Sequence, residues 1–265
     1  MDQRSLEHTL KPCRLGAIRH YASIGSTNDE ALAWAASNAP DLALVVADEQ
    51  TSGRGRAGRS WASQPGASLT FSLILRPPAG SGSEVSRTTF LGALALASLL
   101  RGHYNLPAQI KWPNDVLIDG RKVCGILAEA VWRGAEPDSV VLGMGINLLP
   151  GSVPQGIPLN FPAACLADFT TTPPHPEQLL PQLIQEIVRM RPSLPTPSFM
   201  QELQALLAFK GQLVRLTGLG GNGDPADVRL DGLAEDGSLA VTETATGRQQ
   251  RVHQGEVHLL FATGK

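Results

Sequence analysis

One segment of the chain combines residue types that could hold an anionic ligand. Residues 50–61 interleave three glycines with three arginines and end in Trp61. Glycine lets the backbone approach a ligand closely, and arginine offers a planar fork of donors to a phosphate or carboxylate group. The indole of tryptophan supplies a flat apolar face for a ring. This segment, the Gly/Arg loop, therefore predicts a site for an anionic, nucleotide-like ligand.

The sequence around the Gly/Arg loop argues against a disordered nucleic-acid-binding tail. An apolar run at residues 42–47 precedes the loop, and an alternating run at residues 68–75 follows it. Both runs predict strands. A long loop between two strands of a compact domain is more often functional than not. We expect the loop to be mobile without ligand and to close as a lid when ligand binds.

Three further clusters carry polar groups that could face the same ligand. The first, residues 26–28, follows Gly25 at the predicted start of a helix, where Thr27 and Glu30 have the spacing of a capping box. The second, residues 111–115, surrounds Pro113. The third contains Lys122 and Gly125. Each cluster alone is a weak signal, and we expect them to act together.

Composition limits the classes of function. The chain has 265 residues, 42% of them hydrophobic and 17% charged, with a formal net charge of -2 and a pI near 6.3. An acidic protein of this kind is a poor candidate for sequence-independent nucleic-acid binding. The apolar run at residues 91–100 is too short to span a bilayer, and the N-terminus does not resemble a signal peptide. Three widely spaced cysteines suit a reducing compartment, so we expect a cytoplasmic protein without contact to membranes.

The order of predicted elements indicates an α+β fold, a sheet with helices on one face. We predict a strand at 18–24, a helix through residue 36, a helix at 83–100 and two short strands separated by Pro113. Asp119 and Gly120 predict a two-residue hairpin turn. From residue 210 onward, five short strands predict a small β-barrel. The chain would thus divide into a domain at 1–208 and a barrel domain at 209–265.

With these motifs in place, the chain resembles the biotin–protein ligases over residues 16–260. The matching segments are residues 26–28, 49–51, 53–61, 111–115, 122–127 with Glu129, and 143–147. The resemblance implies a class II synthetase-like catalytic domain with a mixed sheet, followed by an SH3-like barrel. About 25 residues precede Ser26. That length is too short for the N-terminal winged helix of repressor-type members, so we expect the monofunctional type, with no DNA binding.

The resemblance also implies a two-step reaction. Biotin and ATP, with Mg²⁺, would give biotinyl-5′-AMP and pyrophosphate. The biotinyl group would then pass to a lysine of the biotin carboxyl carrier protein of acetyl-CoA carboxylase. The family resemblance also allows homodimers formed through sheet edges.

By the same resemblance, each motif residue has an expected role. The catalytic residues would be Lys122, Arg56 and Arg59. The biotin-binding residues would be Ser26, Thr27, Asn28, Gln50, Arg54, Gly55, Arg56, Lys122 and Gly125. The residues that bind ATP or the adenylate would be Arg56, Arg59, Trp61, Asn114, Lys122 and Asn147. Asp115 would lie near Mg²⁺ or the incoming amine.

Two other functions compete with this one. A lipoate–protein ligase would use the same adenylation chemistry, but the polar partners Thr27 and Gln50 favour a ligand with a ureido head over lipoate. A non-catalytic nucleic-acid-binding module would suit the arginines, but the acidic pI and the 5% of aromatic residues oppose it. The segment near Glu256 lacks the late arginine that some ligases place near the ATP phosphates, and we expect Glu256 and its neighbouring histidines on the surface.

Overall fold

The structure is a computed structural model that describes residues 3–78, 85, 87–154, 161–219 and 225–260. The α-helices over these residues are α1 (Gln3–Leu10), α2 (Thr27–Ala36), α3 (Thr88–Gly102), α4 (Pro176–Met190) and α5 (Pro197–Ala205). The strands are β1 (Ala17–Tyr21), β2 (Ala43–Ala47), β3 (Ser68–Leu75), β4 (Ala108–Lys111), β5 (Asp115–Ile118), β6 (Arg121–Arg133), β7 (Glu136–Asn147), β8 (Leu213–Thr217), β9 (Ala226–Leu233), β10 (Leu239–Glu243), β11 (Gln249–Val252) and β12 (Glu256–Leu259).

A seven-stranded sheet forms the larger part of the fold. Its strand order is β1-β2-β3-β7-β6-β5-β4. Strands β1 and β2 run parallel, and the other neighbouring pairs run antiparallel. The prediction of an α+β fold with a mixed sheet is therefore confirmed.

Two turns place the polar motifs on neighbouring strands of this sheet. Asp119 and Gly120 both have positive φ angles, 47° and 71°, so they form the predicted two-residue turn between β5 and β6. The predicted break at Pro113 separates β4 from β5, which pair with each other. These turns bring residues 111–115 and residue 122 to adjacent positions at one side of the sheet.

Helices cover both faces of the sheet, so the prediction of helices on one face was wrong. Helix α3 packs on the face that carries Phe71 and Leu142, in the large core cluster. Helix α2 packs on the opposite face, where Val45 and Val141 meet its alanines. Successive side chains of a strand point to opposite faces, and the fully apolar strand β2 is buried on both. That uninterrupted apolar run was the signal for two covered faces.

The five C-terminal strands form a separate antiparallel sheet in the order β11-β10-β9-β8-β12. Five short strands were predicted from residue 210 onward, and the described part of this region contains five, β8 to β12. Closure of this sheet into an SH3-like barrel stays a prediction. The domain boundary between residues 208 and 209 also stays a prediction.

Two helices differ from the sequence-based expectation. Helix α1 was not predicted. Its buried side chains Leu6 and Leu10 join the large core cluster. Helix α3 begins at Thr88 rather than at residue 83, and residues 83, 84 and 86 lie outside the described part of the chain.

None of the helices within the described ranges has both the length and the hydropathy needed to cross a membrane.

The close contact between α2 and the sheet depends on alanine. Ala31 has no exposed surface and packs against the sheet, whereas Ala33, on the same helix, is exposed. We predict that Ala31→Leu lowers the free energy of unfolding by about 1–3 kcal/mol because the added methyl groups overpack this interface. Urea denaturation would measure the loss. Ala33→Leu is the matched control, and equal stability of the two variants would contradict the two-faced arrangement.

Candidate active site

The start of α2 places the first polar cluster. Ser26 caps the helix: its backbone is extended, and its hydroxyl accepts a hydrogen bond from the Asp29 amide at 3.4 Å. The predicted capping box of Thr27 and Glu30 was wrong. Glu30 pairs instead with Arg19 at 2.7 Å. Thr27 lies in the first turn of α2 with its side chain buried toward the sheet.

Four polar side chains, which we call the polar floor, meet beneath this turn. Gln50 Oε1 accepts hydrogen bonds from the amide of Thr27 at 2.7 Å and from its hydroxyl at 3.0 Å. The Ser72 hydroxyl donates to Asn28 Oδ1 at 2.6 Å and lies 2.9 Å from the Thr27 hydroxyl. The side chains of Thr27, Asn28 and Ser72 are buried, so each orientation is fixed by its partners. The polar floor is a preorganised, uncharged surface.

The Gly/Arg loop is anchored to the polar floor through Glu129 on β6. The Glu129 carboxylate accepts two hydrogen bonds from Arg54, at 3.1 and 2.7 Å, and one from Asn28 Nδ2 at 2.8 Å. Arg54 also pairs with Asp29 at 2.7 Å. The hydrogen bonds to Glu129 raise the pKa of the Arg54 guanidinium. The carboxylates of Glu129 and Asp29 both hold this guanidinium, so Arg54 anchors the loop. The predicted contact of Arg54 with biotin stays a prediction.

The loop itself folds back as a narrow hairpin. Arg54 and Ser60 form a bridge, the Gly55 amide donates to the Arg59 carbonyl at 2.7 Å, and the Trp61 amide donates to the Gly53 carbonyl at 2.8 Å. At the tip, Ala57 and Gly58 have positive φ angles of 54° and 72°. This tight turn directs the side chains of the loop back toward the sheet.

Arg56 carries the least compensated charge of the loop. Burial, followed by the neighbouring charge of Arg59, lowers the pKa of the Arg56 guanidinium. Within the described part of the chain, this guanidinium forms no hydrogen bond or ion pair. A half-buried cation in this position is electrostatically prepared for an anionic ligand.

The indole of Trp61 packs against two glycines of the sheet. A Cβ atom at Gly145 would approach the indole to 2.3 Å, and one at Gly125 would approach it to 2.8 Å, so only glycine fits at either position. The Lys122 ammonium lies 5.5 Å from the indole centroid. The buried Trp61 Nε1 has no hydrogen-bond partner among the described residues. A buried donor of this kind suits a ligand acceptor.

The indole and the loop separate two cavities. The first, about 100 Å³, opens onto the polar floor, and the second, about 440 Å³, extends toward the C-terminal sheet. Described residues that border both are Arg59, Ser60, Trp61 and Lys122. The reacting ends of two ligands, one in each cavity, could therefore meet at this shared wall.

A buried trio of charges lies behind this shared wall. Asp115 is 3% exposed, and its carboxylate pairs with Lys111 Nζ at 3.1 Å and with Lys122 Nζ at 2.7 Å. Burial alone would raise the pKa of Asp115, but the two ammonium groups hold it below its ordinary value. Lys111 is 1% exposed, and Phe161 lies 4.7 Å from its Nζ. Asp115 thus fixes the position of Lys122 at the cavity wall.

The donor set around Asp115 does not fit a resident Mg²⁺ ion. Both carboxylate oxygens of Asp115 already contact lysine ammonium groups. No group of three or more His, Cys, Asp or Glu side chains that could hold a metal occurs in the ranges that the structure describes. Mg²⁺ requires oxygen ligands in an octahedral arrangement. In this structure Asp115 is the counterion of both lysines, and its assignment as a metal ligand stays a prediction.

The sequence-predicted site residues all border one or both cavities. Those at the first are Ser26, Thr27, Asn28, Gln50, Arg54, Gly55, Arg56, Arg59, Trp61, Asn114, Lys122 and Gly125. Those at the second are Arg59, Trp61, Asp115, Lys122 and Asn147. The amide nitrogens of Asn114 and Asn147 donate to backbone carbonyls, at 2.8 and 3.0 Å, which fixes both side chains.

Four residues of the site were given no role by the sequence analysis. Ser72 could have been found as a hydroxyl within a buried apolar strand. Glu129 and Lys111 were part of the matching motifs, but the motifs do not show what they contact. Glu256 was expected on the surface. It is instead partly buried, lines the second cavity and pairs with Arg59, a contact between residues 197 positions apart.

The chain also matches known proteins. Residues 21–147 match the model of the biotin/lipoate A/B protein ligase family. The chain is 36% identical over 201 residues to the biotin–[acetyl-CoA-carboxylase] ligase of Paracoccus denitrificans, covering 72% of this chain and 80% of that protein. The chain belongs to the biotin–protein ligase family.

Cys124, within a family motif, is fully buried, and burial raises the pKa of its thiol, as expected for an inert structural residue.

Two further members of the ligase family define the extent of the similarity. The bifunctional ligase/repressor BirA of Bacillus spizizenii is 43% identical over 125 residues, which are 47% of this chain and only 38% of that protein. The solved structure of the Aquifex aeolicus biotin protein ligase with biotin and ATP superposes with a TM-score of 0.75 at 26% identity. This superposition covers 91% of this chain and 97% of the Aquifex chain.

The buried trio generates a stability prediction. Asp115→Asn would leave Lys111 and Lys122 without their counterion, and we expect the free energy of unfolding to fall by about 3–5 kcal/mol. Because the pKa of Asp115 is lowered in the folded state, its contribution is present above the unfolded pKa of about 3.9 and is lost as the pH falls below that value. Urea denaturation at pH 7 and at pH 3 would measure both effects.

The matched control is Asp227→Asn, which breaks an exposed pair with Arg215 on the C-terminal sheet. That change should have little effect on stability at either pH. An Asp115→Asn variant as stable as the wild type at pH 7 would refute the trio as a structural unit.

Proposed function

We propose that this chain activates biotin with ATP and transfers it to a lysine of the biotin carboxyl carrier protein of acetyl-CoA carboxylase. The observation that carries this proposal is the wall shared by the two cavities. Lys122, Arg59 and Trp61 border both spaces. An enzyme that joins two ligands must hold the reacting ends of both against the same groups.

The polar floor suits the ureido ring of biotin. A ureido group has one carbonyl acceptor and two N–H donors, so it requires hydroxyl and amide partners in fixed positions. Thr27 and Gln50 provide such groups at the first cavity. Ser26 and Asn28 border the same space. These uncharged, preorganised partners favour biotin over lipoate, which has no ureido head.

The second cavity suits the nucleotide. The Trp61 indole offers an aromatic face, Asn147 offers an amide, and Arg59 offers a cation for phosphate. Asn114 borders the first cavity, next to the wall that the two cavities share. The Aquifex structure named above contains both biotin and ATP, which supports two ligands in this fold.

The chemistry follows from bringing two anions together. A carboxylate oxygen of biotin attacks the α-phosphorus of ATP, and the bond to pyrophosphate breaks. In the second step a lysine amine of the carrier attacks the acyl carbon, an amide forms, and AMP leaves. Lys122, Arg56 and Arg59 offset the repulsion of the first step and stabilise the charge that develops in both. No covalent intermediate on the chain is required.

Mg²⁺ enters this proposal with the ATP phosphates rather than on Asp115. Mg²⁺ commonly binds through substrate phosphates and retains several waters. The closed trio of Asp115 with Lys111 and Lys122 leaves no carboxylate oxygen without a cation. The ion would neutralise phosphate charge, while the chain positions the reacting groups.

Several wider features belong to the same proposal. We place the protein in the cytoplasm and give it no DNA-binding activity, because its net charge of -2 lacks the positive field that duplex DNA requires. We also propose that the C-terminal sheet closes as an SH3-like barrel in its own domain, 209–265. Homodimers through a sheet edge are part of the same proposal, and β1 and β4 are the edge strands of the seven-stranded sheet.

The decisive experiment is acyl transfer to a recombinant biotin carboxyl carrier domain, read by intact mass. We expect a mass gain equal to one biotinyl group, only when ATP, Mg²⁺ and biotin are all present. A parallel reaction with lipoate should give no gain at concentrations that saturate the biotin reaction. A lipoyl mass gain would mean that lipoate, not biotin, is the substrate. No mass gain with either acid would reject the ligase activity.

A further inference from the structure

An ion pair between Arg59 and Glu256 joins the Gly/Arg loop to the C-terminal sheet. Arg59 Nη1 lies 2.5 Å from Glu256 Oε1. The guanidinium also donates from Nε to the Arg56 carbonyl at 3.1 Å, so its plane is fixed on two sides. Glu256 therefore forms an ion pair with Arg59, one of the cations that border both cavities.

The backbone around Glu256 is held in place by β8. The Glu256 amide donates to Thr217 Oγ1 at 3.1 Å, and β12 pairs with β8 from this residue onward. The preceding residue, Gly255, has a φ of 153°, and a Cβ there would lie 2.1 Å from the Thr217 carbonyl oxygen. This fixed backbone holds the Glu256 carboxylate at the second cavity, and only a rotation of the side chain could move it away.

Two acidic residues line the described part of the second cavity, and their surroundings differ. Asp115 is neutralised by Lys111 and Lys122. Among the described residues, the ion-pair partner of Glu256 is Arg59. The triphosphate of ATP is a polyanion that seeks the same guanidinium and is repelled by the carboxylate. Glu256 thus pairs with a cation that a nucleotide phosphate would also attract.

We propose that Glu256 sets the affinity for ATP by occupying Arg59 in the nucleotide-free protein. This inference rests on the function proposed above. ATP phosphates displace the carboxylate from the guanidinium, and the link between the loop and the C-terminal sheet opens. Part of the free energy of ATP binding is used to break the pair between Arg59 and Glu256. ATP therefore binds more weakly than it would if Arg59 were unpaired. Glu256 is a positioning residue, acting through Arg59.

A purely structural pair would behave differently. If Glu256 only fastened the loop, its loss would lower stability and loosen the site for biotin and ATP alike. If it competes with phosphate, its loss strengthens ATP binding and leaves biotin binding unchanged. The two roles therefore predict opposite changes in ATP affinity.

The test is Glu256→Gln, which keeps the shape and removes the charge. ATP and biotin binding would each be measured by calorimetry, and KM for ATP and for biotin by biotin-dependent ATP–pyrophosphate exchange. We expect ATP binding to tighten by about threefold to tenfold, with a matching fall in KM for ATP and no change for biotin. Glu256→Lys should tighten ATP binding further. Asp227→Asn, which removes a paired carboxylate from the same sheet away from the cavities, should change nothing.

A double-mutant cycle with Arg59→Gln isolates the route of the effect. The gain from Glu256→Gln should disappear when Arg59 is also replaced. Weaker or unchanged ATP binding by Glu256→Gln, or a gain that persists without Arg59, would overturn the inference. A wild-type protein that fails to bind ATP at all would instead reject the proposed function, so the two failures can be told apart.

Discussion

The site depends on one buried electrostatic arrangement, the carboxylate of Asp115 held between Lys111 and Lys122. A single buried lysine would tend to lose its proton, and a single buried carboxylate would tend to gain one. In the trio, the two ammonium groups hold the pKa of the Asp115 carboxyl below its ordinary value. Lys111 is the deeper ammonium, which leaves Lys122 as the one that reaches the cavity wall. The trio therefore keeps a cation at the junction of the two cavities.

The sheet supplies the space that this cation needs. On the face toward α2, β6 and β7 carry glycine at positions 125, 143 and 145, where side chains would collide with Trp61 or Asn28. On the other face the same strands carry apolar residues that pack against α3. Because side chains alternate between the two faces along β6 and β7, the residues that stabilise the sheet and the residues at the site lie on opposite faces. One face holds the sheet together, and the other receives the loop and its ligands.

Much of the fold followed from local patterns, because turns and apolar periodicity depend on near neighbours. The turn at Asp119 and the break at Pro113 are examples. Covering of both sheet faces was missed, although the apolar strand β2 indicated it. At the site, motifs identified the residues around both cavities. They could not show that Arg54 is held by Glu129, or that Glu256 reaches Arg59 across 197 positions, because such contacts arise only from the tertiary arrangement.

The central claim is that Lys122, fixed by Asp115, serves the ligands of both cavities. The most direct measurement is biotin-dependent ATP–pyrophosphate exchange by Lys122→Ala, with the exposed Lys210→Ala as control. Asp115 keeps its pair with Lys111 in this variant, so the fold should persist. The account predicts a loss of exchange of about a hundredfold or more, with Lys210→Ala at the wild-type rate. A folded Lys122→Ala protein with wild-type exchange would contradict it.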